Sequence, residues 1–312
     1  MKFYKPKFWD KRGQIGLFSI LLMPLTLITL IKNYYENSKI KKNFYDLKTI
    51  CVGNIYIGGT GKTPLVNNLA DHFKKKFKTF IIKKNYTSHL DEKKLLELKH
   101  KVIFEKAREL SITKAENEKA EMLIFDDGLQ EKKINYDLKI VCFNSLKLDG
   151  NGLIIPAGPL REKLDSIKNY DVVLINGDSN KETKNFINKI KKINPNIKIF
   201  TGKYVPKKYS KLKKKKFIIF SGIGNPHTFS DTLKTLKIKF HGYEKFPDHY
   251  DYNESDLQKL KHLAKIKNCE LLTTEKDYFR LKKSFRKNIN YLKVELSVEQ
   301  KKLFYKYLNE RL

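Results

Sequence analysis

The sequence predicts an α/β fold in which a mostly parallel sheet is covered by helices, with a smaller α/β lobe toward the C-terminus and one more helix at the N-terminus. The order of apolar and helix-patterned segments predicts the sheet. Short, continuously apolar runs alternate with helix-patterned stretches along most of the 312 residues, and strands that are apolar on both faces are typical of parallel sheets with helices on each side. A long uncharged stretch near the N-terminus predicts the additional helix.

Composition limits the class of protein. The hydrophobic content of 40% is that of a globular chain, and its length is enough for two lobes. The net charge of +31 favours anionic partners such as nucleic acid, anionic lipid or a phosphorylated substrate. Because only six of the 65 basic residues are arginine, the bias of an AT-rich genome is an alternative source of part of this charge. No nucleic-acid-binding motif is visible in the sequence, and we expect no nucleic-acid partner.

The N-terminal stretch is the first element. From Gly13 to Ile31 there are 19 residues without a charge, between two basic flanks, and this length is enough to span a bilayer. Pro24 is expected to kink a helix near its middle, and the symmetric flanks give no clear orientation. These features favour a membrane-associating helix, within residues 1–40, that dips into one leaflet with its lysines on lipid phosphates. A single spanning helix and a buried core helix are the alternatives.

The remaining elements follow in order along the chain. The apolar runs predicted to be strands of the main sheet are 49–52, 78–83, 121–125, 138–143, 171–176 and 198–205. The clearest helical stretches between them are 64–73 and 182–193. After a basic linker, the second lobe is predicted to contain strands at 217–220 and 270–274 and helices at 228–236 and 254–265.

A glycine-rich turn follows the first predicted strand. Its residues are Gly58, Gly59, Thr60, Gly61, Lys62 and Thr63, and a helical stretch follows them, which is the context that a P-loop requires. In such a loop backbone N–H groups turn toward phosphate oxygens, the lysine reaches the outer phosphates and the threonine hydroxyl can bind Mg²⁺. The strict spacing asks for glycine where this chain has Tyr56, so the loop is a variant form. A chance glycine-rich turn is the alternative. We expect ATP and Mg²⁺ as cofactors.

Two later segments supply further candidates. The run 121–125 ends in Asp126 and Asp127, at the end of a strand where ligands bind in open α/β sheets. These carboxylates are candidates to hold Mg²⁺ directly or through water, and a strand-ending turn is the alternative. Arg161 follows a turn that contains two prolines, and its planar guanidinium matches phosphate oxygens. An ion pair with Glu162 is the alternative for Arg161.

The second lobe has two polar segments. His249 lies in the loop Phe246 to Tyr250 and is a candidate for a proton relay, with a surface histidine as the alternative. Thr273 to Asp277 end a predicted strand with dense charge. This segment is expected either to orient a nucleotide or to form an ion-pair network.

Taken together, these segments resemble the tetraacyldisaccharide 4'-kinase (lipid A 4'-kinase) family, in order and over nearly the full chain. The residues that carry the resemblance are those around Pro6, Trp9 and Pro24, then Gly58 to Pro64, Asp126 to Gln130, Pro156 to Glu162, Gly222 to Pro226 with Phe229, Asp248-His249, and Thr274 to Asp277. The resemblance implies a P-loop NTPase-like fold, with a kinase core at 41–208 and a C-terminal lobe at 209–312. It also implies transfer of the ATP γ-phosphoryl group to the 4'-hydroxyl of tetraacyldisaccharide 1-phosphate, which gives lipid IVA in lipid A biosynthesis.

The resemblance further implies roles for the candidate residues. Lys62 neutralises the outer phosphates, Thr63 with Asp126 or Asp127 holds Mg²⁺, and Arg161 stabilises charge on the transferring phosphoryl group. The lipid substrate and the cytoplasmic face of the bacterial inner membrane are the implied partners, and we infer no obligate protein partner.

The implied catalytic base lies in a segment where this chain departs from the family pattern. Residues 83–87 are Lys-Lys-Asn-Tyr-Thr, where the family usually shows Ser-Arg-Gly-Tyr-Gly. Residues 90–92 are Leu-Asp-Glu, where the family shows Gly-Asp-Glu. By this match Asp91, oriented by His249, is predicted to accept the proton of the sugar hydroxyl.

Two functions of other classes compete with a lipid kinase. One is a membrane-bound P-loop ATPase that switches a partner protein, which predicts ATP hydrolysis without a phosphorylated lipid. The other is a basic nucleic-acid-binding protein that uses nucleotide as a regulator, which predicts salt-sensitive binding to DNA or RNA.

Overall fold

The computed structural model describes residues 6–38, 43, 45–84, 96–97, 99–224, 226–247 and 250–312. Its strands are β1 (Lys48–Gly53), β2 (Thr79–Lys84), β3 (Lys101–Glu105), β4 (Met122–Asp126), β5 (Leu138–Asn144), β6 (Val172–Asn176), β7 (Lys198–Lys207), β8 (Lys216–Ser221), β9 (Lys239–Lys245), β10 (Glu270–Thr274) and β11 (Ile289–Val298). Its α-helices are α1 (Leu17–Ser38), α2 (Lys62–Phe73), α3 (Arg108–Asn117), α4 (Lys181–Ile193), α5 (Pro226–Thr235), α6 (Glu254–Ile266), α7 (Glu275–Arg280) and α8 (Lys301–Arg311).

The chain divides into two compact units. Unit 1 comprises residues 1–85, 100–204 and 296–312, and unit 2 comprises residues 86–99 and 205–295. The division after Tyr204 lies close to the boundary expected at residue 208. Residues 296–312, which we expected in the second lobe, group with unit 1 instead.

The sheet of unit 1 has the strand order β3-β2-β4-β1-β5-β6-β7, and its described pairs are parallel. Strands β4 and β6 are buried along their whole length, as expected for strands with helices on both faces. The register of β1 on β4 places Val52 beside Asp126. The carboxyl ends of the central strands therefore meet at one edge, and the loop after β1 lies next to the end of β4.

The N-terminal helix α1 forms over Leu17–Ser38 with Pro24 inside it. Side chains attach the segment before it to the rest of unit 1, since the Trp9 indole N–H donates to the Pro156 carbonyl at 3.0 Å and Asp10 accepts from the Tyr56 hydroxyl. Among the residues that the structure describes, no helix is both long and apolar enough to cross a membrane.

Unit 2 contains a parallel sheet with the order β11-β10-β8-β9. Asp277 is fully buried at the start of α7. It accepts hydrogen bonds from the Gly222 N–H at 3.1 Å, the Tyr252 hydroxyl at 3.0 Å and the Thr274 hydroxyl at 2.7 Å, and pairs with Arg280 at 2.8 Å. In the described residues, therefore, Asp277 is the centre of an ion-pair and hydrogen-bond network, the second of the two alternatives for this segment.

Helix α8 closes unit 1 through aromatic side chains. Phe304 is fully buried, and its ring meets Phe200 of β7 edge to face with ring centroids 5.0 Å apart. The neighbouring Tyr305 stacks on His72 of α2 at a centroid distance of 3.9 Å. Burial of these large side chains explains why the C-terminal residues group with unit 1.

We predict that Phe304→Ala lowers the free energy of unfolding by about 3–5 kcal/mol, because it removes a fully buried aromatic ring and leaves a cavity. The adjacent Leu303 is 54% exposed and supplies the control, since Leu303→Ala should change that free energy by less than about 0.5 kcal/mol. Urea unfolding followed by circular dichroism measures both. Equal effects of the two variants would contradict the packing of α8 on unit 1.

Candidate active site

The glycine-rich loop joins β1 to α2, as the sequence predicts. Gly61 lies just before α2 with a φ of +91°, and a Cβ atom there would lie 2.4 Å from the Asn176 amide nitrogen. Gly58 has a φ of +117°, which also favours glycine. The Asn54 amide donates to the Tyr56 carbonyl at 2.5 Å and to the Gly58 carbonyl at 3.0 Å. Side chain and backbone thus hold the loop in a shape that only glycine permits at two positions.

Tyr56 explains why the loop departs from the strict P-loop spacing. Its side chain points into the protein, where it is 1% exposed and pairs with Asp10. Burial, and then the neighbouring Asp10 carboxylate, raise the pKa of the Tyr56 hydroxyl. Tyr56 therefore anchors the beginning of the loop to the N-terminal segment.

Asp126 is the last residue of β4, and its carboxylate contacts the first turn of α2. The Thr63 hydroxyl donates to Asp126 Oδ2 at 3.0 Å, and the Lys83 ammonium donates to the same oxygen at 2.7 Å. Asp126 is 1% exposed. Its other oxygen, Oδ1, is buried and makes no hydrogen bond within the described part of the chain. The structure therefore brings together the hydroxyl and one of the carboxylates that the sequence proposes for a metal.

Asp127 has different partners from its neighbour. It adopts a φ of +64°, which directs its carboxylate toward two cations. Lys62 Nζ lies 3.5 Å from Asp127 Oδ1, and Arg161 Nη1 lies 3.0 Å and 3.2 Å from its two oxygens. Burial raises the pKa of Asp127, but Lys62 and Arg161 outweigh it and hold this pKa below its usual range. The Asp127 carboxylate thus stays charged and positions both cations.

The proline-containing turn carries Arg161 to this site. The Arg161 N–H donates to the Ile55 carbonyl at 2.7 Å, and the Ile57 N–H donates to the Pro159 carbonyl at 2.9 Å. The backbone of the turn is therefore hydrogen-bonded to the segment that leads into the glycine loop.

In the described part of the chain, the side chain of Glu162 contacts residues other than Arg161. Its carboxylate accepts from the Gln130 amide at 2.8 Å and lies 3.3 Å from the Lys132 ammonium. Gln130 in turn accepts from Arg161 Nη1 at 3.0 Å. Among the described contacts, the Arg161 guanidinium binds Asp127 and Gln130. The alternative of an ion pair between Arg161 and Glu162 is therefore wrong.

Sequence reasoning missed three residues of this site. Lys83 lies at the end of β2, Asn176 ends β6 beside Gly61, and Arg108 begins α3. Arg108 is 6% exposed and its guanidinium donates to the Asp127 carbonyl at 2.6 Å. Asn176 was detectable in principle, because a predicted strand ends at this residue. The other two depend on which strands and helices are neighbours.

Two predicted catalytic residues, Asp91 and His249, lie outside the residues that the structure describes. Their assignment as base and orienting residue stays a prediction.

Buried polar atoms around the loop indicate what this site holds. Within the described residues, Asn54 Oδ1, Thr60 Oγ1, Asp126 Oδ1 and Asn176 Oδ1 are buried without a hydrogen-bond partner, although such atoms are nearly always paired in proteins. No group of three or more acidic, histidine or cysteine side chains suited to a metal occurs in the described ranges. One carboxylate and one hydroxyl fit Mg²⁺, which takes few protein ligands and completes its shell with phosphates and water.

Comparison with known proteins decides the family. The family model described as tetraacyldisaccharide-1-P 4'-kinase matches residues 17–99 and 91–312. The chain belongs to the tetraacyldisaccharide 4'-kinase family. A relative of that name from Pelagibacter ubique (strain HTCC1062) is 44% identical over 97% of this chain and 96% of its own length. Another, from Rickettsia akari (strain Hartford), is 35% identical over 100% of this chain and 97% of its own.

A solved structure supports the fold of this kinase family member. It is the "apo" form of LpxK from Aquifex aeolicus in complex with ATP, with a TM-score of 0.71 and 24% identity, and the match covers 95% of this chain and 99% of that chain. The predicted family, the enzyme class and the α/β fold are thereby confirmed. As a member of the tetraacyldisaccharide 4'-kinase family, the chain is an enzyme whose glycine loop, lysine and carboxylates suit phosphoryl transfer.

The lowered pKa of Asp127 predicts how this residue stabilises the protein. An unfolded aspartate titrates near pH 3.9, so the stabilisation by Asp127 is fully present above that pH and is lost as the pH falls through the lower folded pKa. The difference in free energy of unfolding between wild type and Asp127→Asn should therefore be constant from about pH 5 to 7 and shrink below about pH 4. Urea unfolding across this range measures it.

Asp231→Asn is the matched control for this measurement. Asp231 forms an exposed pair with Lys234, and exposed pairs contribute little to stability. The difference between wild type and this variant should stay small at every pH. A difference for Asp127→Asn that does not shrink in acid would contradict the ion pairs assigned to Asp127.

Proposed function

We propose that this enzyme transfers the γ-phosphoryl group of ATP to the 4'-hydroxyl of tetraacyldisaccharide 1-phosphate and so produces lipid IVA for lipid A biosynthesis. The observation that carries the proposal is the meeting of Lys62 and Thr63 with Asp127 and Asp126 at one edge of the sheet. The acceptor of the phosphoryl group is inferred from the names of relatives that match nearly the full chain.

The residues of the site divide the work of phosphoryl transfer. Backbone N–H groups of the loop and the Lys62 ammonium bind the phosphates. Thr63 and Asp126 would hold Mg²⁺, which when bound neutralises charge on the β- and γ-phosphates. Asp127 contacts both Lys62 and Arg161, so protein contacts hold these two cations side by side. Such fixed charges stabilise the transition state without reorganisation.

Proton removal from the sugar hydroxyl is assigned to Asp91, with His249 as its orienting residue. The match of residues 90–92 to the Gly-Asp-Glu segment of the family supports this assignment. A carboxylate within hydrogen-bond reach of the hydroxyl can act as general base.

Phosphorylation of the lipid is tested with γ-labelled ATP, Mg²⁺ and detergent-dispersed tetraacyldisaccharide 1-phosphate, followed by thin-layer chromatography. We expect label in a more phosphorylated lipid, and a loss of several orders of magnitude in rate for Lys62→Ala, because this ammonium balances phosphate charge. Lys74→Ala is the control, since Lys74 forms an exposed pair with Asp71 at the C-terminal end of α2, away from the loop. Label released only as free phosphate, with the acceptor intact, would favour the ATPase switch.

The surface of α1 supports a membrane-bound enzyme. Its residues toward the protein include a fully buried Ser19, a Thr29 hydroxyl that donates to the Ile155 carbonyl at 2.9 Å, and an Asn33 amide that donates to the Arg161 carbonyl at 3.1 Å. Its outward residues are large and apolar: Leu17, Phe18, Ile20, Leu21, Leu25, Leu27, Ile28 and Ile31 are 48–71% exposed. A helix with polar contacts inward and apolar side chains outward reverses the pattern of a helix in water.

We therefore propose that this outward face of α1 lies in the lipid surface. An apolar patch of this extent on a protein marks an interaction site, and the proposed acceptor carries acyl chains. The positive net charge of the chain favours attraction to anionic headgroups. Together with ATP as phosphoryl donor, these features support the cytoplasmic face of the inner membrane as the location.

Membrane binding is tested with the double variant Leu21→Glu with Ile28→Glu. Both residues are 65% exposed, so the fold should tolerate the change, while carboxylates oppose insertion between acyl chains. We expect co-sedimentation with phosphatidylethanolamine–phosphatidylglycerol vesicles to fall at least about tenfold, as expected when the apolar burial that drives such binding is lost. Leu303→Glu, on the exposed face of α8, is the control. Unchanged sedimentation of the double variant would refute the assignment of α1.

A further inference from the structure

A lysine side chain lies beside the two residues that would hold the metal. The register of β2 on β4 pairs Lys83 with Asp126. The Lys83 ammonium lies 2.7 Å from Asp126 Oδ2 and 3.5 Å from the Thr63 hydroxyl oxygen. Its side chain is 10% exposed and that of Asp126 is 1% exposed. The pair is therefore largely shielded from solvent.

Because the pair is buried, the charge of Asp126 has to be compensated within the protein. A buried carboxylate without a cation is strongly unfavourable, so Lys83 compensates the charge of Asp126 when no divalent ion is present. The same ammonium keeps the carboxylate oriented toward the Thr63 hydroxyl, which donates to the same oxygen at 3.0 Å. Protein contacts alone thus hold the two candidate ligands next to each other.

A divalent ion bound by Thr63 and Asp126 would lie within a few ångströms of this ammonium. Like charges at such distances repel by several kcal/mol even at the higher effective dielectric constants found in proteins. The ammonium must then weaken binding of the divalent ion or give up its contact with Asp126. Other described cations near the loop have a different partner, because Lys62 and Arg161 both contact Asp127.

We propose that Lys83 is a positioning residue: a tethered cation that holds the Thr63–Asp126 pair ready in the metal-free enzyme and competes with Mg²⁺ for Asp126. This inference rests on the proposed function, since it takes the pair to be the metal ligands of an ATP-dependent kinase. We therefore expect Lys83 to lower the affinity of Thr63 and Asp126 for a divalent ion. We also expect Lys83 to stabilise the protein when no divalent ion is bound.

The test is Lys83→Met, which keeps an unbranched side chain of similar bulk and removes its charge. Binding of Mn²⁺ to the protein saturated with a non-hydrolysable ATP analogue is measured by electron paramagnetic resonance. We expect Lys83→Met to bind Mn²⁺ at least about tenfold more tightly than wild type, because the repulsion between the ammonium and the divalent ion is removed. In EDTA its Tm should lie several degrees below that of wild type, and Mg²⁺ with the analogue should reduce that difference.

Three further variants keep the test decisive. Lys83→Gln retains a donor for Asp126 without charge and should also tighten Mn²⁺ binding, so it serves if the methionine variant does not fold. Lys83→Arg retains the charge and should restore stability in EDTA. Lys101→Met is the matched control on neighbouring β3, since Lys101 pairs with Glu118 at the surface with 61% of its side chain exposed, and it should change neither measurement.

The outcomes separate this inference from the proposed function. Wild type that binds neither the analogue nor Mn²⁺ would refute the proposed function itself. Wild type that binds both, with Mn²⁺ affinity unchanged or weaker in Lys83→Met and Lys83→Gln, would overturn the competition. If both variants instead bind the analogue more weakly with and without metal, Lys83 is a phosphate ligand and not a competitor of the metal.

Discussion

The site depends on the need to compensate two adjacent carboxylates at the end of one buried strand. Asp126 and Asp127 leave β4 where solvent is largely excluded, so each must find cations or donors within the protein. Asp126 is compensated by Lys83 and by the Thr63 hydroxyl. Asp127 draws Lys62 and Arg161 together. The arrangement of the cationic groups around the glycine loop follows from these two pairings.

The chain keeps the two carboxylates separate although they are neighbours in sequence. Asp126 has the backbone of a strand and directs its side chain beneath α2, whereas the positive φ of Asp127 turns its side chain toward the loop lysine. Arg108 reinforces this turn because it donates to the Asp127 carbonyl. The residues that would hold a metal and the cations that would bind phosphates are therefore separate, as phosphoryl transfer requires.

The sequence was informative where burial was complete and less so elsewhere. The strands predicted from continuous apolar runs, such as β4 and β6, are present because both of their faces are covered. β3 and β9 were not predicted, since they lie at the ends of the strand orders of their units and carry polar residues. β11 was also missed, because its mixture of polar and apolar residues is only partly buried.

In the candidate site, local motifs could also be predicted from the sequence, whereas contacts between distant segments could not. The glycine loop and the strand-ending carboxylates were predictable from local patterns, because each motif is continuous in sequence. The pairing of Arg161 with Asp127 was not, because it depends on the hydrogen bonds between the proline-containing turn and the segment before the loop. The contact of Lys83 with Asp126 could not be predicted for a similar reason, since it depends on the pairing of β2 with β4.

The hydrogen bonds that attach α1 to the turn before Arg161 have a consequence for substrate geometry. The Asn33 amide donates to the carbonyl of Arg161, and the Thr29 hydroxyl donates to the carbonyl of Ile155 at the start of the same turn. If α1 rests in the lipid surface as proposed, the height of the phosphate-binding loop above the acyl chains is set by protein hydrogen bonds and not by the lipid. An acceptor whose sugar sits at another depth in the bilayer would then be excluded by reach, even if its hydroxyl were chemically equivalent.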